Sequence, residues 1–323
     1  MKIAILGTGA YGMALANIFN DNKCKVFMWT NSKEELDLLI TERKSNKIEY
    51  DIPSSISIST DMKEVVEDAS IIVMAVPAKF VGSVSSQLKE YYNNNQVICI
   101  ASKGIEQETC LFLYDVVRAN IKTNEIAVIS GGTFAVDMIK RVPVGLTLAT
   151  KSNYSRDIIL RCMQNDYVKL RPTKDIIGTE ICGSIKNVIA IASGMIGGMG
   201  FPESTSCMFV TESLHDIKEL IKALGGDPKT ILSFAGFGDL LLTCTSIKSR
   251  NYTLGRIIGE NRPREEIDDY INNTTIEGLY TLQSIKKLLR NKKIKMPIIN
   301  LIYDIIVDKK EPEALVKFLI EKK

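Results

Sequence analysis

Along its first half the chain alternates short apolar runs with longer mixed segments. KIAIL (2–6), KVFMW (25–29), SIIVMAV (70–76), QVICIA (96–101) and EIAVIS (125–130) are rich in β-branched residues and apolar at successive positions. Runs apolar on both faces predict buried strands, and the helical stretches between them predict parallel connections. VGLTLAT (144–150) and YVKLR (167–171) are two further strand candidates that close this region. After about Pro172 the spacing turns helical, beginning with IIGTEICGSIKNVIAIASGMI, and remains so to the C-terminus. The expected architecture is α/β, a doubly wound parallel sheet over residues 1–177 followed by an all-helical domain over 178–323. The boundary falls within 172–178, where no Gly/Ser linker, low-complexity stretch or internal repeat marks it.

Composition supports two ordinary globular domains: 323 residues, 45% hydrophobic and 24% charged. Lys+Arg 41 against Asp+Glu 38 gives a formal charge of +3, too balanced to indicate nucleic acid or a membrane surface as the partner. One basic run, Lys286, Lys287, Arg290, Lys292, Lys293 and Lys295, would suit such a surface, but its ordinary reading is a solvated helix face and loop. The seven cysteines include no C-x-x-C pair, so neither a disulfide framework nor a zinc site is indicated, and a reducing cytoplasm fits. His215 is the single histidine, which removes His-clustered metal sites and leaves Lys, Asp, Glu, Tyr or Cys for acid–base work. No metal is expected. The N-terminal apolar stretch with Ala14-Leu15-Ala16 imitates a cleavable signal, but Gly7-Thr8-Gly9 interrupts it and cleavage would remove the first strand. No other stretch has the roughly 18 uninterrupted apolar residues of a spanning helix.

The strand ends carry the candidate chemistry. The first strand runs into Gly7-Thr8-Gly9-Ala10-Tyr11-Gly12 and then MALANIF, a G-x-G-x-x-G between strand and helix. There the glycines allow a tight turn, close approach of a pyrophosphate and close helix packing, with the phosphates at the helix N-terminus. This is the signature of a Rossmann-type dinucleotide site. An acidic residue about 20 positions on normally holds the adenosine ribose. Here the second strand ends Trp29-Thr30-Asn31-Ser32-Lys33, and the first acids are Glu34 and Glu35. Asn31 or Ser32 offers a hydrogen bond to a ribose hydroxyl, and Lys33 is either a 2′-phosphate contact or a solvated loop lysine. The cofactor is therefore NAD or NADP. The other strands end in Val76-Pro77, Ser102-Lys103-Gly104 and Ser130-Gly131-Gly132-Thr133, loops expected to converge on the crevice outside the strand ends. Bare glycines at 131 and 132 let backbone N–H groups approach a bound group. Lys103 is a donor to substrate or cofactor, or a snorkelling surface lysine.

In the helical half, Ile181, Ile185, Val188, Ile189, Ala192 and Ile196 form a core stripe. Beside it run Thr179, Cys182, Lys186, Ala190, Ser193 and Gly197, so Lys186 stands among small residues where a backbone or ligand can come close. A lysine in a partly desolvated cleft can have its pKa lowered and act as a general acid or base. Asp239, in Gly236-Phe237-Gly238-Asp239, either pairs with that lysine or caps the helix starting DLLL. Ser249-Arg250-Asn251 sets donors suited to a phosphate at a helix start, Ser249 and Asn251 being N-cap candidates as well.

GTGAYG, SKGIE, SGGTFA, IKNVIAIASG, GFGDLLLTCT, SRN and IEG, in this order and spacing, resemble the bacterial type of NAD(P)-dependent glycerol-3-phosphate dehydrogenase over almost the whole chain. The resemblance implies reversible reduction of dihydroxyacetone phosphate to sn-glycerol 3-phosphate for phospholipid synthesis, in a cytoplasmic homodimer without membrane insertion. It makes 1–177 the dinucleotide-binding domain and 178–323 the substrate and catalytic domain. It assigns proton transfer to Lys186, with Asp239, and substrate contacts to Lys103, Gly131, Thr133, Lys186, Asp239, Ser249, Arg250 and Asn251. Cofactor contacts would fall on Gly7, Gly9, Ala10, Tyr11, Gly12, Asn31, Lys103, Ala135, Arg250, Thr275 and Glu277, although Thr274-x-x-Glu277 also spells a capping box. Three positions depart from the family pattern. Gly132 replaces a proline and loosens its loop, Ile181-Cys182 precede Gly183 where Leu-Gly is usual, and Ala10 replaces a side-chain donor. Other readings are a ketopantoate or hydroxyacid reductase of the same architecture, a non-catalytic dinucleotide sensor, and a membrane or nucleic-acid binder through the basic run.

Overall fold

The structure, a computed structural model, describes residues 1–289 and 294–321. The chain divides into two compact units, Met1–Glu106 with Leu111–Ile176, and Gln107–Cys110 with Ile177–Lys323. The excursion at 107–110 has no counterpart in the hydrophobic pattern.

In the first unit β1 (Lys2–Leu6), β2 (Lys25–Trp29), β3 (Ile56–Ser59), β4 (Ile71–Met74), β5 (Val97–Ile100), β6 (Ile126–Ser130), β7 (Val144–Thr150) and β8 (Val168–Thr173) form one sheet. Their order is β3-β2-β1-β4-β5-β6-β7-β8, which places the reversal of winding between β1 and β4. Every pairing is parallel except β6 with β7, which run antiparallel. Helices α1 (Ala10–Asp21), α2 (Lys33–Thr41), α3 (Met62–Val66), α4 (Val81–Leu88), α5 (Leu113–Asn120), α6 (Ala135–Ile139) and α7 (Asn153–Met163) complete the unit. The two-residue period of the strands sorts their side chains cleanly. Ile3, Ile5, Val73, Cys99 and Ile129 pack with Leu15 and Phe19 of α1 on one face. Ala4, Leu6, Ile72, Ile98 and Val128 pack with Val84 of α4 and Val117 of α5 on the other.

Two edges differ from the sequence expectation. β3 is hard to read because its window SSISIST is short and serine-rich and offers only two apolar residues, Ile56 and Ile58, both buried. At the opposite edge β8 continues through Pro172 to Thr173. A proline, lacking an N–H, is tolerated on an edge strand whose outer side pairs with nothing in the sheet.

The second unit comprises α8 (Ile176–Gly198), α9 (Glu203–Ala223), α10 (Asp239–Cys244), α11 (Arg250–Gly259), α12 (Arg264–Asn273), α13 (Glu277–Leu289), α14 (Pro297–Ile306) and α15 (Ala314–Ile320). By length and apolar content α8 alone among the described residues is able to cross a membrane, but 89% of its apolar window is buried, as in a core helix. Glycines on two helices bring α8 and α11 together. A Cβ at Gly194 or Gly198 would collide with the Tyr252 or Arg256 carbonyl of α11. Conversely, a Cβ at Gly255 or Gly259 would collide with the Ile191 or Met195 carbonyl of α8. The four-residue spacing on both helices lets the backbones touch. On α9, His215 is exposed, whereas its neighbour Asp216 is buried and accepts the Ile299 N–H in the first turn of α14 at 3.0 Å.

Candidate active site

The first-unit site is built on backbone geometry at the end of β1. Gly7 has φ +120, a conformation that strongly favours glycine, and its N–H donates to the Trp29 carbonyl at 2.9 Å, binding the end of β1 to that of β2. A Cβ at Gly12 would strike the Gly7 carbonyl, so this glycine seats α1 against the turn. Gly9 is different: a Cβ there meets nothing within 4 Å, and no side chain caps α1. The chain therefore supplies no packing reason for glycine at position 9. An accessible helix N-terminus behind a bare backbone fits the pyrophosphate of a dinucleotide. Ala10 and Tyr11 form the first turn of α1, both half-buried.

Four of the residues named from the sequence come together beside this turn. Lys103 donates from Nζ to the Gly131 carbonyl at 3.2 Å and lies 5.8 Å from the centre of the Tyr11 ring. The Tyr11 hydroxyl is 3.5 Å from Thr133 Oγ1. The loops after β4 and β5 are linked by Ser102, whose hydroxyl donates to the Val76 and Met74 carbonyls. Ala135 begins α6. Gly131 has a structural reason of its own, because a Cβ there would lie 2.5 Å from the Gly145 carbonyl of antiparallel β7. Its bareness serves the sheet as well as any ligand.

At the end of β2, Asn31 is exposed and lines a cavity of about 570 Å³ together with Gly7, Thr8 and Gly9. Ser32 is committed elsewhere: its Oγ accepts the Glu35 N–H at 3.0 Å as N-cap of α2 and donates to Glu34 Oε2 at 2.8 Å. Lys33 is exposed and does not line the cavity.

In the helical unit Lys186, on α8, donates from Nζ to Asp239 Oδ1 at 2.6 Å and to Thr243 Oγ1 at 3.1 Å. The two charged side chains are 12% and 2% exposed, so this is a largely desolvated ion pair. Thr243 donates to the Asp239 carbonyl at 2.6 Å, so its lone pairs face the ammonium. Asp239 is the first residue of α10, whose N-cap position is Gly238; its carboxylate pairs with the lysine rather than capping. Preceding it, Phe234–Gly238 is a distorted turn with Gly236 at φ −85, ψ −107, where a Cβ would collide with the Ile231 carbonyl. The small residues beside Lys186 admit protein backbone: Ser193 donates to the Cys244 carbonyl at 2.9 Å. Burial pushes the Cys244 thiol far up, and Asp239 adds to this while Lys186 opposes it, so the cysteine is a neutral neighbour of the pair.

A second network lies on the α8–α11 contact. Asn251 donates from Nδ2 to Asn187 Oδ1 at 3.1 Å, Asn187 donates to Glu277 Oε2 at 3.1 Å, and the Gly278 N–H donates to Asn251 Oδ1 at 2.9 Å. Glu277 is the first residue of α13, so the capping-box spelling, which needs it three residues after the cap, does not describe it. Ser249 is buried and caps α11, accepting the Tyr252 N–H at 3.3 Å. Arg250 and Thr275 are exposed. Of the basic run, Lys286 donates to Asn300 Oδ1 at 3.0 Å and sits over the Tyr303 ring, while Lys287 and Lys295 are exposed. Arg290, Lys292 and Lys293 lie outside the described residues. Thr243 and Asn187 have roles the sequence alone does not reveal. The available signals were the i, i+4 spacing of Asp239 and Thr243 and the asparagine adjoining Lys186.

Comparison with known proteins places the chain in one family. The profile described as NAD-dependent glycerol-3-phosphate dehydrogenase N-terminus matches residues 2–155, and that of the C-terminus matches 175–317. A glycerol-3-phosphate dehydrogenase (NAD(P)+) of Thermoanaerobacter sp. (strain X514) is 35% identical over 321 residues, covering 99% of this chain and 97% of that protein. The crystal structure of glycerol-3-phosphate dehydrogenase from Coxiella burnetii superposes with a TM-score of 0.92 at 30% identity, covering 99% of both chains. A ketopantoate reductase of the PanE/ApbA family from Ralstonia eutropha JMP134 shares the fold at a TM-score of 0.62 and 14% identity, covering 99% of this chain and all of that one. The Lys186 and SRN segments thus belong to a chain matched end to end by one set of relatives, and this protein is a member of the NAD-dependent glycerol-3-phosphate dehydrogenase family.

Proposed function

We propose that the chain interconverts dihydroxyacetone phosphate and sn-glycerol 3-phosphate with NAD(P)H, and that Lys186 moves the proton. The observation that carries this is the Lys186–Asp239 pair, a desolvated ammonium held at 2.6 Å by a carboxylate that is 2% exposed. When bound, the reduced nicotinamide supplies a hydride to the C2 carbonyl of the ketone. The protein's task is then to deliver a proton to the oxygen that becomes negative, because a free alkoxide is too basic to leave uncompensated. The Lys186 ammonium donates it in the direction of reduction, and the amine accepts it back in the direction of oxidation. Asp239 and Thr243 hold Nζ in place and stabilise its charge between turnovers.

The glycine turn at 7–12 is assigned to the pyrophosphate, with Ala10 contributing only its backbone. Lys103, Gly131 and Thr133, and in the helical unit Ser249, Arg250 and Asn251, are assigned to the phosphorylated substrate. Arg250 suits the phosphate because a guanidinium fork donates two parallel hydrogen bonds to it. Tyr11, Asn31, Lys103, Ala135, Arg250, Thr275 and Glu277 are assigned to the dinucleotide. The product would feed phospholipid synthesis. The reading includes a cytoplasmic homodimer that neither inserts in membranes nor binds nucleic acid, supported by the family resemblance and the formal charge of +3.

The test compares substrates. Purified protein given NADH or NADPH should oxidise it with dihydroxyacetone phosphate and yield sn-glycerol 3-phosphate, while ketopantoate should give no comparable rate. Preference for ketopantoate would overturn the substrate assignment, and binding of the dinucleotide without turnover on either ketone would make the chain a sensor.

A further inference from the structure

The strand-end acid usual at the adenosine ribose is absent from β2, but Glu35 of α2 lines the cavity beside the end of that strand. Ser32 and Glu35 spell a capping box, in which the glutamate side chain normally returns to the N–H of the cap residue. Only half of that box forms. Ser32 Oγ accepts the Glu35 N–H at 3.0 Å, yet the Ser32 N–H is directed at Thr30 Oγ1 at 3.4 Å. The Glu35 carboxylate instead turns into the cavity. Its Oε2 accepts from Thr30 Oγ1 at 2.8 Å, and its Oε1 pairs with Lys47. Burial alone would push the Glu35 carboxyl up, but Lys47 and the hydroxyls of Thr30 and Thr8 outweigh it and hold the group below its ordinary range. An ionised, 18% exposed carboxylate thus stands beside Thr8, the residue between the first two glycines of the turn.

We propose that Glu35 discriminates between the two cofactors: its carboxylate accepts from the adenosine ribose hydroxyls and opposes a 2′-phosphate, so that the chain binds NADH in preference to NADPH. The proposal rests on the reading that this cavity takes the adenosine half of the dinucleotide. A carboxylate only accepts hydrogen bonds, which matches the 2′- and 3′-hydroxyls of NADH as donors. A 2′-phosphate brings about −1.5 to −2 charges at neutral pH and no complementary donor. Among the described residues Glu35 and Lys47 are the charged ones lining the cavity, and Lys47 is already paired with Glu35. Asn31 contributes an amide and no cation. One 44% exposed ammonium cannot neutralise both a carboxylate and a phosphate.

The experiment is equilibrium binding of NADH and NADPH, read by nicotinamide fluorescence, to the wild type, Glu35→Gln and Glu35→Ala, with thermal melting as the check on folding. The wild type should bind NADH about tenfold or more tighter than NADPH, and each folded variant should bring the ratio of dissociation constants close to one. Wild-type protein that binds NADPH as tightly as NADH, or variants that leave the ratio unmoved, would overturn the role of Glu35 while leaving the site in place. Failure of the folded wild type to bind either dinucleotide would overturn the reading of the cavity, and the proposal with it.

Discussion

At the scale of single residues the decisive feature is a charge pair in a dry place. Removing one member of a largely buried ion pair leaves the other without compensation, at a cost of about 3–5 kcal/mol where burial is complete. Asp239→Asn keeps the shape and deletes the charge. It should both lower the melting temperature and reduce kcat about a hundredfold, because the ammonium loses its orienting partner. A kcat unchanged in a folded Asp239→Asn protein would remove Asp239 from the mechanism. Cysteine chemistry gives an independent check on burial. Burial pushes the Cys99 thiol up to about 12 and raises Cys244 as well, whereas Cys207 is exposed. Since the thiolate is the reactive form, iodoacetamide on the native protein should label Cys207 well before either buried cysteine, as peptide mapping would show. Early labelling of Cys244 would mean that the surroundings of Lys186 are wetter than the structure shows.

At the scale of elements, the α8–α11 contact positions the network around Asn187. Because a Cβ at Gly255 overlaps the Ile191 carbonyl, Gly255→Ala forces two helix backbones apart. The expected loss is about 1–3 kcal/mol, or more if the helices cannot separate, with weakened activity as Asn251 draws away from Asn187. Calorimetry and steady-state rates on Gly255→Ala, with Gly200→Ala as a strained site that has nothing within 4 Å, would separate helix contact from a general glycine effect. The fingerprint at 7–12, the buried strands and the apolar stripe of α8 are local patterns and could be read directly. The partners of Lys186 lie 53 and 57 positions away, and only folding sets them against it. Glu35 was visible as a late acid, but its turn away from the capping box toward Thr30 is a side-chain choice that spacing does not encode. β3 escaped because its window is short and serine-rich, and the antiparallel β7 because an apolar run carries no sign of its direction.

In the molecule as a whole, the sheet unit carries a glycine turn beside a cavity lined by Glu35 and Lys47, and the helical unit carries the Lys186–Asp239 pair. Stability of the sheet unit should carry a modest acid-sensitive component. Asp21 of α1 accepts from Arg141 Nε at 2.8 Å and from the Tyr167 hydroxyl at 2.7 Å, and the Arg141 hydrogen bond holds its carboxyl below the usual range. A carboxyl lowered in the folded state stabilises it fully above the unfolded value, and the contribution fades as pH falls through the folded one. Arg141 is 59% exposed, so solvent screening limits the pair to about 1 kcal/mol or less. Urea unfolding of Arg141→Ala should accordingly show a small deficit at pH 7 that shrinks below about pH 4. A deficit that grows toward acid would contradict the assignment.

In the proposed reaction Lys186 supplies the proton when a ketone phosphate is reduced. The assay that bears on this role follows NADH absorbance with dihydroxyacetone phosphate for the wild type and Lys186→Ala, with NADH binding measured on both. The wild type should show rapid ketone-dependent oxidation, and a variant that still binds NADH should be about 10²–10⁴-fold slower. A Lys186→Ala protein that folds, binds NADH and turns over at the wild-type rate would contradict that role.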